Sequence, residues 1–168
     1  MDENKNLTVE KIFSLALNNH QKNNIEEAQD LYYQILKINP GHIHALKNLG
    51  ATFISQREYL KAKDIYEKAI EIDSNSADSY SNLGIVFKNL GELQKAKDCF
   101  EKAIEIDPNF ANSHNNLGNI HAAIGESQKA KDCFEKAIEI DPNSASAYSN
   151  LGSILCELGE YQKAKDCF

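Results

Sequence analysis

Four asparagines, Asn48, Asn82, Asn116 and Asn150, stand thirty-four residues apart, each two positions before a glycine. A primary amide offers both donor and acceptor, so a regular row of them can hold an extended peptide through its backbone and read its side chains only loosely. Three cysteines, Cys99, Cys133 and Cys167, keep the same spacing. His114 and His121 stand where sister segments carry Tyr80 and Phe87, or Tyr148 and Leu155. A Gly-rich phosphate loop, zinc spacing, a nucleophile elbow and a paired-carboxylate constellation are all absent. An enzyme within these residues is therefore not expected, nor is a cofactor or a metal site.

The elements that position these residues follow from the apolar spacing. Tyr80, Leu83 and Phe87 fall at i, i+3 and i+7, and Leu93, Ala96, Phe100, Ala103 and Ile104 form a second stripe. Each segment therefore predicts an amphipathic helix with one apolar face, and the turn between them lies at residues 89–92. Residues 111–144 nearly repeat residues 77–110. Neither helix can hide its stripe alone, so helical hairpins that stack and bury their faces on one another are implied.

The spacing aromatic, x2, Leu-Gly, x2, aromatic, then Ala, x3, aromatic, then Pro is carried by Tyr80, Leu83, Gly84, Phe87, Ala96, Phe100 and Pro108. In this the chain resembles the tetratricopeptide repeat family. The resemblance implies an all-α fold, a right-handed superhelical solenoid of stacked antiparallel helix hairpins. The chain then divides into a lead over 1–8 and repeats over 9–42, 43–76, 77–110, 111–144 and a truncated 145–168. Met1 to Leu7 read as disordered, with Thr8 capping the first helix. The first repeat carries Ile12, Leu15, Ala16, Ala28, Tyr32 and Pro40 but has Asn19 in place of the second aromatic, as an end cap would. In the second, Ser74 replaces the proline, while Asp73, Ser74 and Asn75 still favour a turn and no break in the stack. Gly84, Gly118 and Gly152 are expected at close helix contacts, and Gly91, Gly125 and Gly159 at positive φ in the turns.

In such repeats the asparagine position lies on the first helix and faces the concave groove. Asn48, Asn82, Asn116 and Asn150 are therefore expected to bind a peptide, as in the repeat domains of O-linked N-acetylglucosamine transferases, which this chain resembles. The same phase adds Lys47, Ser81, Asn115 and Ser149, with Asn112 and Asn119, to a neutral polar lining. Family members that clamp the carboxylate tail of chaperones need several Lys and Arg there, and only Lys47 matches.

Equivalent cysteines on stacked helices lie about 8 to 10 Å apart, beyond the roughly 7 Å between Cα atoms that a disulfide spans. They read as packing residues of a reducing compartment, and Cys156 as reactive only if exposed. His114 and His121 stand about 10.5 Å apart along a helix, too far to share a metal ion. Each is expected to replace an aromatic ring and donate one hydrogen bond. The other reading is a repeat that softens in acid as buried imidazoles charge. Lys63 with Glu67 and Asp98 with Lys102 read as solvated helix pairs.

A net charge of −7 argues against a sequence-independent hold on nucleic acid or an anionic membrane. The start MDENKNLTVE lacks the positive, then apolar, run of a secretory signal, so a cytoplasmic location is expected. The last repeat supplies twenty-four of thirty-four residues. That suggests a fragment continuing in EKAIEIDP-like residues, with Leu151, Ile154, Leu155, Leu158 and Phe168 facing solvent or a second molecule. The function expected is a protein-interaction scaffold. The alternatives are the targeting domain of a larger enzyme, such as a glycosyltransferase with its catalytic part beyond residue 168, and a module that self-associates through its ends.

Overall fold

A computed structural model describes the backbone of residues 2–167 and the side chains of residues 8–167. Ten helices and no strands occur among the described residues. The chain divides into two compact units, Met1–Asn75 and Ser76–Phe168. The first holds α1 (Asp2–Gln21), α2 (Ile25–Ile38), α3 (Ile43–Ser55) and α4 (Tyr59–Ile72). The second holds α5 (Ala77–Asn89), α6 (Leu93–Ile106), α7 (Ala111–Ala123), α8 (Ser127–Ile140), α9 (Ala145–Glu157) and α10 (Tyr161–Lys165). Each unit is a stack of antiparallel helix hairpins, the all-α solenoid the apolar stripes require.

Each hairpin closes because a large ring meets a missing side chain. Phe100 and Phe134 are almost wholly buried, and a Cβ built on Gly84 or Gly118 would lie 2.6 Å from the ring carbon Cε1 of Phe100 or Phe134. In the first unit Gly50 meets Tyr66 in the same way, at 2.6 Å from Cε2. Glycine within a helix costs about 1 kcal/mol relative to alanine. Full burial of an aromatic ring returns about 1.5–3 kcal/mol, so the exchange favours the hairpin.

The turns follow from backbone conformation. Gly91, Gly125 and Gly159 take φ of 79°, 78° and 76°, and the matching positions of the first two hairpins hold Asn23 at 63° and Arg57 at 60°. Between hairpins a carboxylate or amide folds the loop back. Asp107 Oδ1 accepts from Asn109 N at 3.0 Å, Asp141 Oδ1 from Asn143 N at 3.1 Å and Asp73 Oδ1 from Asn75 N at 3.0 Å. The turn at Ser74 thus forms as those at Pro108 and Pro142 do, because the aspartate rather than the proline closes it.

Four expectations are corrected. The helix α1 begins at Asp2, so residues 2–8 of the expected lead are helical and Thr8 lies inside α1 instead of capping it. No glycine or proline interrupts that stretch. Met1 lies outside the described residues. Leu15, expected among the core positions of the first hairpin, is 50% exposed. At the other end, Leu151, Ile154 and Leu155 are buried in one cluster with Ala130, Phe134 and Ala164. The helix α9 closes on the hairpin before it and on α10, leaving Leu158 at 36% and Tyr161 at 70% exposed. Phe168 lies outside the described residues. Lys63 does approach Glu67 at 3.7 Å, but Lys102 pairs with Glu105 at 2.9 Å and Asp98 accepts from Gln94. Glu105 follows Lys102 by three positions, a spacing that puts both on one helix face.

Candidate peptide-binding face

The helices α5, α7 and α9 are the first helices of successive hairpins in the second unit, and each packs on the next. Their common phase puts Asn82, Asn116 and Asn150 at one register, all half-buried. Their bonding differs. The Asn150 side-chain amide donates to Asn115 Oδ1 at 3.0 Å, across the junction of two hairpins. The amides of Asn82 and Asn116 bond no other described residue. Within one row, therefore, one amide is committed to stacking and two are available.

The Asn115–Asn150 bond also shows what lies beside each lining position. Asn115, one place before the ladder asparagine of α7, meets the asparagine of the following hairpin. Asn115 is long enough to bond there, whereas Ser81 is covered and only 4% exposed. At that burial Ser81 presents little surface to a ligand. Ser149, on the last of these helices, is exposed, as is Asn112, and Asn119 is half-buried. Along α7 and α9 the lining at Asn112, Asn115, Asn119, Ser146, Ser149 and Ser153 carries no charge.

In the first unit, Asn48 and Lys47 are half-buried on α3. The Asn48 amide donates to the His44 carbonyl one turn back, at 2.8 Å, and the Lys47 carbonyl accepts from the Tyr66 hydroxyl at 3.1 Å. The α3 asparagine therefore spends a donor on its own helix.

Burial pushes the Cys133 thiol up to about 11, with Asp132 and Glu101 adding to it, and burial raises Cys167 as well. Thiols held in that form are poor nucleophiles. Cys99 is buried, Cys156 is exposed, and all four are free of disulfides. Among the described residues, no three His, Cys, Asp or Glu side chains gather around a potential metal position. His114 donates from Nε2 to the Pro108 carbonyl at 3.0 Å. His121 is 5% exposed, and its Nδ1 lies 2.6 Å from Glu126 Oε2. Lys129 first, and His121 second, hold the Glu126 carboxyl below the usual range.

The apolar pattern gave no notice of three polar features. Lys131 reaches Glu160 of the following hairpin at 2.8 Å, with 13% and 28% of the two side chains exposed. Ser113 Oγ is fully buried with no partner. His42 caps α3, accepting from the Ala45 N–H at Nδ1. Only the first had a sequence signal, opposite charges twenty-nine residues apart in repeating hairpins.

Models of the tetratricopeptide repeat match residues 77–110 and 111–144, another matches 133–166, and a third, of the TPR repeat, matches 50–91. Together they span residues 50–166. No curated protein matches the chain by sequence. Among solved structures, the chain resembles MamA at TM-score 0.80 and 27% identity, over 91% of this chain and 90% of that one. It resembles pilF of Pseudomonas aeruginosa at TM-score 0.88 and 23% identity, over 98% and 75%. It resembles YrrB, described as a TPR protein with an unusual peptide-binding site, at TM-score 0.72 and 24% identity, over 93% and 80%. No described helix is long and apolar enough to cross a membrane. Repeats of this kind are non-enzymatic scaffolds suited to binding proteins or peptides. With its glycine-to-ring contacts, its positive-φ turns and models matching most of its length in phase, the chain belongs to the tetratricopeptide repeat family.

Proposed function

We propose that this chain is an interaction scaffold that holds an extended segment of a partner protein on the amide face of α5, α7 and α9. The observation that carries the reading is the pair of half-buried amides at Asn82 and Asn116, on contiguous helices and at one register, with no protein partner of their own. Half-burial fixes an amide's direction while leaving its polar atoms unmet. A peptide backbone in extended form supplies donors and acceptors that such amides can pair with. The uncharged lining at Asn112, Asn119 and Ser149 favours neutral segments over acidic tails. YrrB, similar in fold and described as having a peptide-binding site, supports the use of such a scaffold for peptides.

The test is a peptide array probed with the wild-type chain, Asn82→Ala/Asn116→Ala and Asn150→Ala, each checked for helicity. Two lost hydrogen bonds at about 0.5–1.5 kcal/mol each weaken capture by roughly tenfold or more. Asn150→Ala leaves capture within about threefold, since its donor is already engaged with Asn115. A helical double variant that captures peptides as the wild type does would overturn the assignment.

A further inference from the structure

The helix α3 begins on an unusual cap. The caps of its counterparts are Ser76, which accepts from Ser79 N at 3.3 Å, and Phe110 and Ser144, neither of which caps with its side chain. At α3 the cap is an imidazole: His42, with φ −72° and ψ 90°, accepts the Ala45 N–H at Nδ1, 3.1 Å away, and its carbonyl accepts from Leu46 N. An Nδ1 that accepts carries no proton, so the bonded ring is the neutral tautomer with its hydrogen on Nε2. Protonation places a hydrogen where the acceptor was. It also places a positive charge beside the helix end that disfavours one.

We propose that His42 is an acid-released cap, holding the α3 N-terminus and the junction of the first two hairpins while neutral and releasing them when it takes up a proton. The ring lies where release is felt on both sides. It packs on Phe13 of α1 at 5.2 Å between centroids, and Phe13 in turn lies 6.2 Å from Tyr32 of α2 and from His44 of α3. The groups facing it are few. From α1 it meets the uncharged Phe13. From α3 it meets His44, 6.3 Å away, whose charge opposes a second one. From the α2–α3 loop it meets Asn39, whose carbonyl accepts from His42 N. Tyr32, pushed up to about 12 by burial, stays neutral throughout. Burial lowers the His42 pKa, its own backbone works the other way, and His44 lowers it further. The folded chain therefore binds this proton less readily than the unfolded one. The cap is complete above the ordinary histidine value of 6.5 and is lost as pH falls through the lower folded value.

The test compares the wild-type chain with His42→Asn, which caps without titrating, following the hydrogen-exchange protection of the Ala45 amide from pH 8 to pH 5. Protection in the wild type falls by about fivefold, the worth of one N-cap, and in His42→Asn it stays level. An equal fall in both chains overturns the proposal. A second measurement needs no variant: in the wild type the Ala45 amide proton shift must follow the His42 ring titration. An Ala45 shift that stays constant while His42 titrates also overturns it.

Discussion

Ser113 offers a case in which removing a polar atom is expected to stabilise the fold. In the third repeat Ser79 Oγ donates to Ser76 Oγ at 2.9 Å, and Ser76 also accepts from Ser79 N. The fourth repeat keeps the serine as Ser113 but puts Phe110 at the cap, so the hydroxyl is fully buried and unpartnered. A buried polar group with no hydrogen bond costs about 1–3 kcal/mol. Sister hairpins already hold Ala45 and Ala147 at this place, both fully buried. Ser113→Ala is therefore expected to stabilise α7 by about 1–3 kcal/mol. Phe110→Ser adds a cap worth about 1 kcal/mol and gives Ser113 a partner, against the loss of a half-buried ring. In that background Ser113→Ala no longer helps. The coupling between the two sites is then about 1–2 kcal/mol. Urea unfolding followed by circular dichroism, with hydrogen exchange at the α7 amides as the local readout, measures all four chains. A Ser113→Ala chain less stable than the wild type, or a cycle that is simply additive, would refute the reasoning.

Gly118→Ala brings a methyl within 2.6 Å of a Phe134 ring that has nowhere to move. A net loss of about 1–2 kcal/mol is expected after the helix-propensity gain, measured by denaturant midpoint and partly recovered by Phe134→Leu. Arg57→Gly relieves a side chain at φ 60° and is expected to stabilise its turn by about 0.5–1 kcal/mol. Gly91→Ala, with open space around the added methyl, should cost about 1 kcal/mol through backbone alone in the same assay. Glu126 and Glu160 are held below the ordinary value of 4.5, chiefly by Lys129 and by Lys131. Folded carboxylates with depressed pKa stabilise above that value and lose the contribution as pH falls through the folded one. Unfolding midpoints should drop below about pH 4.5, and less steeply in Glu160→Gln. An unchanged slope in that variant would count against the pair with Lys131.

The sequence alone determined the hairpins. Apolar stripes at helical spacing, a glycine opposite the rings of Tyr66, Phe100 and Phe134, and a positive-φ turn residue at fixed distance are local demands, and these were met where the pattern put them. It also determined which residues share a register, because a repeat of constant length carries equivalent positions to equivalent places. Only the packed hairpins decided what each register position faces. Asn150 bonds Asn115 while Asn82 and Asn116 do not bond, and Ser81 is covered while Ser149 is open, because those outcomes depend on the next hairpin's side chains. The same holds for Ser113, orphaned by a phenylalanine three residues away, and for His42, made a cap by the angle at which α3 leaves its loop. Helical periodicity fixes direction around one axis, whereas hydrogen bonds and burial are settled between axes, where the pattern of a single helix carries no information.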